Sequence, residues 1–111
     1  MPRDYKVYLE DILEAAGRVL KFTSGLAFSD FVRDLKTHDA VIRNLEIIGE
    51  AIKKVPEEVR KEHPKVEWKK IGSLRDILIH EYFGVDDEIL WDIVQHKLPK
   101  LKNQVESLLK E

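Results

Sequence analysis

Three side chains capable of chemistry lie close together, at Arg75, His80 and Tyr82. On a helical wheel, Arg75 falls inside the apolar arc formed by its neighbours. A guanidinium keeps its proton, and burying it unpaired is costly, so it must meet a carboxylate, a partner subunit or an anionic ligand. A structural salt bridge, to Asp76 or to an acid on another helix, is the alternative. His80 can exchange a proton near neutral pH, although a lone helical histidine can also be purely structural.

The spacing of these residues creates a geometric problem. His80 follows Arg75 by five positions, which is about 140° around an ideal helix, whereas Tyr82 follows by seven and returns to the same face. Arg75 and Tyr82 should therefore be neighbours, but one regular helix does not direct Arg75 and His80 at one ligand. Either the helix distorts near Gly84, or two copies of the chain pair so that both sets of residues converge on one cleft.

The elements that carry these residues are predicted to be helices throughout, because apolar residues recur every three or four positions and no strand-like alternation appears. The narrowest apolar stripe contains Val41, Leu45, Ile48, Ile52 and Val55. The predicted helices cover residues 4–21, 28–36, a segment from Thr37 to Val55, a short segment between Pro56 and Pro64, residues 68–82, and a last helix that begins at Asp86-Asp87 and is kinked by Pro99. These elements predict an all-α fold, an antiparallel four- to five-helix up-and-down bundle.

Particular residues are predicted to set the helix boundaries. Ser29 and Asp30 offer an N-cap for the short second segment, and Thr37 offers one for the long helix that follows. Gly84 is the expected end of the helix that contains Arg75.

Composition limits what this protein can be. Its 111 residues fit a single domain spanning 1–111, and 43% hydrophobic residues suffice for one modest core. The chain has no cysteine, which excludes disulfides and Cys-ligated zinc and favours a cytoplasmic location. No apolar run is long enough for a membrane span or a signal peptide. The four histidines lack zinc spacing and no glycine-rich phosphate loop occurs, so no metal and no cofactor are expected.

Positive charge is local. The formal net charge is −2, yet residues 53–70 hold seven basic against four acidic side chains. We expect this stretch, and Lys69 and Lys70 in particular, to contact a nucleic-acid backbone if the site acts on one, although an ordinary solvated surface is the alternative reading of any single lysine.

The stretch RDILIHEY, from Arg75 to Tyr82, resembles the R-x4-H-x-Y signature of the HepT-like branch of the HEPN superfamily. The segments AVIRNLEIIGEAIKKVPEEVR, HPKVEWKKIGSLRDILIHEYFGVD and ILWDIVQHKLPKL each resemble the corresponding blocks of that family. Asp76 occupies a position where the family has Asn or Asp. The resemblance therefore covers nearly the whole chain.

This resemblance implies a dimeric HEPN-like bundle in which two R-x4-H motifs line a shared cleft. It implies a metal-independent endoribonuclease, the toxin of a toxin–antitoxin pair, with Arg75 and His80 catalytic and Asp76 and Tyr82 in support. It also implies a partner, an MntA-like nucleotidyltransferase antitoxin that transfers AMP onto Tyr82. The alternative function is a non-enzymatic helical subunit that docks a nucleotidyltransferase.

The implied chemistry suits the residues. An RNA 2′-OH can act as the nucleophile if His80 accepts its proton and Arg75 stabilises charge developing on the phosphate. Asp76, four residues before His80, could orient the imidazole or tether Arg75. AMP on Tyr82 would place negative charge and a purine where RNA phosphate must approach.

Overall fold

The computed structural model describes the backbone of residues 4–80 and 86–111, and the side chains of 4–74 and 86–111. Within those ranges the chain forms helices and turns and no strand, so the predicted all-α bundle is confirmed. The helices are α1 (Tyr5–Thr23), α2 (Phe28–Arg33), α3 (Leu35–Lys54), α4 (Glu57–Glu62), α5 (Trp68–His80), α6 (Asp87–Asp92) and α7 (Leu98–Leu109), with a π-helical segment (Ile93–Lys97) joining α6 to α7.

The core lies around α3, which packs against both α1 and α5, while α1 also packs against α7. Every member of the stripe predicted on α3 is buried. That stripe comprises Val41, Leu45, Ile48, Ile52 and Val55. The apolar face of α1 is likewise buried at Leu9, Ile12, Ala16 and Val19. The central helix therefore fixes α5, the helix that carries the motif, against the rest of the bundle.

The boundary between α2 and α3 differs from the prediction. The second segment ends at Arg33 rather than at residue 36, and Thr37 does not cap α3. Asp34 is the cap, because its carboxylate accepts hydrogen bonds from the Thr37 backbone N–H at 3.1 Å and the Thr37 hydroxyl at 2.7 Å. The hydrogen bond from the Thr37 hydroxyl lowers the pKa of Asp34 most, and the bond from the Thr37 backbone N–H lowers it further. A carboxylate satisfies the first-turn N–H groups of a helix as well as threonine does, and here it lies in the position to do so.

The N-cap predicted at Ser29 and Asp30 is also displaced. The cap of α2 is Ala27, and Asp30 acts from inside the first turn, where its carboxylate accepts the Ala27 N–H at 2.9 Å. The predicted breaks at Pro56 and before Pro64 are confirmed, since α4 lies between them. The predicted helix end at Gly84 lies outside the described residues.

Pro99 is accommodated by a π-helical segment that precedes α7. It occupies the first turn of α7, and the π-helical segment Ile93–Lys97 directly precedes that helix. The Leu98 N–H bonds to the Ile93 carbonyl five residues back, which is the π pattern. A proline ring clashes with the carbonyl four residues earlier, so an inserted residue relieves the clash without ending the helix.

Candidate functional site

The backbone from Arg75 to His80 is regular. Helix α5 is α-helical from Trp68 through His80, so Arg75, Asp76 and His80 all lie on one continuous helix. The separation of about 140° between Arg75 and His80 therefore applies to the folded chain, and the helix does not distort between them. The side chains of these three residues, and all of Tyr82, lie outside the described part of the structure.

The start of α5 is held firmly. Trp68 is 6% exposed, and its indole N–H donates to the His63 carbonyl at 2.9 Å. Its backbone N–H donates to the Val66 carbonyl at 2.9 Å. Trp68 is therefore a structural anchor, and its buried ring is not available for stacking on a nucleic-acid base.

An apolar groove runs along α5 one turn before Arg75. Ile71 and Leu74 of α5 face Ile89, Ile93 and Leu98 across it, and the cavity measures about 270 Å³. Ile89 is 62% exposed, although it is a large aliphatic side chain. Exposed apolar surface of this kind beside a motif is typical of a binding or assembly surface.

Charged residues line the edge of the apolar groove. One carboxylate oxygen of Glu67 lies 3.5 Å from the ammonium nitrogen of Lys70, and the other lies 3.5 Å from that of Lys97. The nearby charge of Lys97, reinforced by Lys70, lowers the pKa of Glu67. Lys70 therefore already has a carboxylate partner.

The two lysines predicted to contact an RNA backbone do not lie together. Lys70 lines the apolar groove, whereas Lys69 lines a separate concavity with Lys53 and Arg60. Successive helical residues are 100° apart, which accounts for the separation. Lys53 and Arg60 belong to the basic stretch 53–70, but their proximity to Lys69 depends on how α3, α4 and α5 pack and cannot be predicted from that stretch alone.

The start of α6, where the described chain resumes after Tyr82, is anchored to α3. The Asp86 carboxylate accepts from the Glu88 N–H at 2.8 Å, which confirms the predicted cap. The His38 Nε2 donates to the Asp87 carboxylate at 2.7 Å, and the His38 ring lies 5.2 Å from that of Phe31. Sequence reasoning missed this contact, because nothing in the spacing of residues 38 and 87 relates them.

Two further findings concern the described residues. No group of three or more histidine or acidic side chains among them is arranged to hold a metal ion. None of their helices combines the length and the apolar character needed to cross a bilayer.

Comparison with known proteins agrees with the motif. The model of the family described as "Ribonuclease HepT-like" matches residues 12–108. The chain belongs to the HepT-like ribonuclease family. It is 48% identical to "Probable ribonuclease HepT" of Thermococcus cleftensis, over 99% of this chain and 100% of that protein. It is 46% identical to "Putative RNase MJ0127" of Methanocaldococcus jannaschii, over 100% of this chain and 93% of that protein. No solved structure gives a significant match.

The family membership identifies the chain as a ribonuclease and supports RNA as its substrate. The matched region includes all of α5 and the RDILIHEY stretch. Helix α5, which carries Arg75 and His80, thus lies inside the part of the chain that matches the family model.

Proposed function

We propose that this HepT-like ribonuclease is the metal-independent endoribonuclease toxin of a toxin–antitoxin pair. The observation that carries the proposal is the R-x4-H-x-Y stretch on α5, inside a family match that spans residues 12–108. His80 accepts the proton of an RNA 2′-OH, whose oxygen attacks the adjacent phosphorus. Arg75 stabilises the charge that develops on the phosphate. The bond from phosphorus to the 5′-oxygen breaks, the leaving 5′-oxygen takes a proton from solvent, and the products are a 2′,3′-cyclic phosphate and a 5′-hydroxyl.

The catalytic cleft is proposed to form between two copies of the chain. Support comes from α5, whose regular backbone keeps Arg75 and His80 about 140° apart on one helix. The apolar groove and the 62% exposed Ile89 offer a surface for a second copy. Pairing through this surface would bring two copies of α5 together.

The remaining motif residues have supporting roles in this proposal. Asp76 precedes His80 by one helical turn, from which it orients the imidazole. An MntA-like nucleotidyltransferase transfers AMP onto Tyr82 and so blocks the approach of RNA phosphate by charge and bulk.

RNA cleavage by the purified chain in EDTA tests the catalytic assignment. We expect the wild type to cut RNA and leave 2′,3′-cyclic phosphate ends. Arg75→Ala and His80→Ala should each lower kcat by about 100-fold or more, the usual value of an acid–base group or an electrostatic contact. The matched controls are Arg43→Ala and His96→Ala, whose side chains are 72% and 75% exposed, and both should retain activity.

Three outcomes would contradict the assignment. Cleavage that survives both motif substitutions would indicate another site or a contaminating nuclease. Cleavage that disappears in EDTA and returns with a divalent ion would refute metal independence. A wild type that never cleaves but binds the nucleotidyltransferase would favour the non-enzymatic binding subunit.

Modification and assembly have separate tests. Incubation with an MntA-like enzyme and ATP should add AMP to the Tyr82 peptide only, with Tyr5 and Tyr8 as internal controls. AMP on another residue would exclude Tyr82 as the target. In sedimentation velocity, Ile89→Glu should shift the chain towards monomer, whereas Leu35→Glu, at a 72% exposed position away from the apolar groove, should not. Equal effects of the two substitutions would refute the proposed interface.

A further inference from the structure

A second concave surface lies on another side of α5. Lys53 at the end of α3, Arg60 of α4 and Lys69 of α5 line it together, above Ile52 and Gly72. We call this surface the basic pocket. Its cavity measures about 240 Å³, several times the roughly 30 Å³ that a water molecule occupies in the liquid. The pocket is therefore large enough for a phosphate group with part of its sugar.

The charge of the basic pocket is unusual for this protein. Its described lining includes three cations and no carboxylate, although the chain has a net charge of −2. Lys53 has a contact of its own within the chain, and the neighbouring Lys54 and Lys61 have glutamate partners within 4 Å, Glu50 and Glu57. Among the residues whose side chains are described, no carboxylate lies within that distance of Arg60 or Lys69. An anionic ligand is the simplest complement to such a surface.

Arg60 supplies a second, independent observation. Its Nε atom is buried, and no described group accepts its hydrogen bond. A buried donor without a partner costs free energy, and native proteins generally satisfy it with water or a ligand. The buried Nε atom is closed to a ligand, but the outer nitrogens of a guanidinium can bind phosphate with strong charge-assisted hydrogen bonds.

The position of the basic pocket on α5 relates it to the motif. Lys69, Ser73, Asp76 and His80 follow one another at intervals of four, three and four residues, which keeps their Cα atoms on one stripe of the helix. Eleven residues separate Lys69 from His80, or about 16 Å along the axis. A nucleic-acid strand that follows this stripe would pass from His80 to the pocket within a few nucleotides.

The chemistry of the pocket favours backbone recognition over base recognition. The one aromatic residue that lines the pocket, Trp68, is 6% exposed, and its indole N–H already donates to the His63 carbonyl. The Ser73 hydroxyl donates to the Lys70 carbonyl at 2.7 Å. The remaining polar groups are cations, which recognise phosphate and carry no base specificity.

We propose that the basic pocket binds a backbone phosphate of the RNA substrate, a few nucleotides from the phosphodiester that is cut at His80. This inference rests on the proposed ribonuclease site for its position along the strand. It replaces the pair predicted from sequence, because Lys69 belongs to the pocket and Lys70 is occupied by Glu67.

Binding of a fluorescent 2′-O-methyl oligoribonucleotide, which lacks the nucleophile and stays intact, tests the proposal. The pocket variant is Lys53→Gln with Lys69→Gln, and the control is Lys54→Gln with Lys61→Gln, which removes the same charge from the same stretch. We expect the pocket variant to bind about fivefold more weakly or worse at 0.1 M salt. Its slope of log K against log salt should fall by about 0.7, the value of one phosphate contact in a single strand. The control should stay within about twofold of wild type.

Equal losses in both variants would reveal general electrostatics and overturn the proposal, as would no loss in either. If the pocket variant fails to fold by circular dichroism, Lys69→Gln against Lys61→Gln makes the same comparison. A pocket variant that binds RNA normally but is modified more slowly by the nucleotidyltransferase would assign the pocket to the AMP phosphate, which also overturns the proposal.

Cleavage kinetics separate this proposal from the catalytic one. With cleavable RNA, the pocket variant should raise KM and leave kcat unchanged, and a dinucleotide too short to reach the pocket should not distinguish it from wild type. Pocket-dependent RNA binding without any cleavage would refute the catalytic assignment and keep the pocket. Cleavage that depends on His80 but is indifferent to the pocket at every RNA length would do the reverse.

Discussion

Replacing His38 by alanine should destabilise the fold by about 2 kcal/mol, because the substitution removes one contact that joins α3 to α6 and one that joins α3 to α2. The first is the 2.7 Å hydrogen bond to Asp87. Hydrogen bonds to charged groups contribute about 1.5–3 kcal/mol, and the lower end applies because the Asp87 side chain is 37% exposed. The second is the ring contact with Phe31 at 5.2 Å, which adds about 0.5–1.5 kcal/mol.

The hydrogen bond can be isolated by a double-mutant cycle with His38→Ala and Asp87→Ala, measured by urea unfolding at fixed protein concentration. Circular dichroism reports the helices, and tryptophan fluorescence of a Trp68→Phe background reports the region of Trp91, whose ring lies 4.9 Å from that of Phe31. We expect a coupling free energy of about 1 kcal/mol. With a urea m-value of about 2 kcal/mol/M, His38→Ala alone should lower the unfolding midpoint by about 1 M.

His96 and Asp92 provide a matched control. They form a similar pair at 2.8 Å, but their side chains are 75% and 58% exposed. Solvent screening should limit their coupling to about 0.3–0.5 kcal/mol. If the His38–Asp87 coupling also falls within the roughly 0.3–0.5 kcal/mol scatter of independent sites, the hydrogen bond does not hold α6 in place and the reasoning fails.

Further predictions concern the caps, the glycines and one buried amide. Thr37→Val removes the hydroxyl that lowers the pKa of Asp34, so an NMR titration should show this pKa rising towards its ordinary 3.8. Because the pKa is lowered in the folded state, the wild type should be more stable than the variant above pH 3.8. That difference should vanish as the pH falls through the lowered pKa. An unchanged pKa would refute this. Gly17→Ala should stabilise the fold by about 0.5–1 kcal/mol, since Gly17 lies inside α1 with open space around a new Cβ. Gly25→Ala should destabilise the fold, because Gly25 has a φ of 78° that alanine rarely adopts. Thermal melts should show a higher melting temperature for the first variant and a lower one for the second. Asn44→Leu should stabilise by about 1 kcal/mol, because the buried Asn44 Oδ1 lacks a described donor; a lower melting temperature would mean that this oxygen has a necessary partner.

The helices could be predicted because their signals are local. The α3 stripe from Val41 to Val55 and the α4 boundaries at Pro56 and Pro64 depend on periodicity and on backbone chemistry that neighbours in sequence determine. The predicted boundary, with a segment ending at residue 36 and a cap at Thr37, was wrong because several residues there could act as caps, and the choice depends on which side chain reaches the free N–H groups. The π-helical segment before Pro99 is likewise one of several ways to relieve the same steric clash.

The candidate site likewise has one part that could be predicted from neighbours in sequence and one part that depends on how the helices pack. Its motif on α5 was visible in the sequence, since Arg75, His80 and Tyr82 lie within a few residues of one another, and the family match includes them. Their roles remain predictions, because their side chains lie outside the described residues. The basic pocket was not predictable, because Lys53, Arg60 and Lys69 come from three helices.

The all-α class, the buried face of the central helix and the chemical types available on α5 can all be predicted from the amino-acid sequence. Those features follow from the order of residues along one helix. The tertiary structure decided which cations share a pocket, which lysine is occupied by Glu67, and which carboxylate receives His38. These relations join residues far apart in the chain, and they exist only because burial of the apolar stripes brings the helices together.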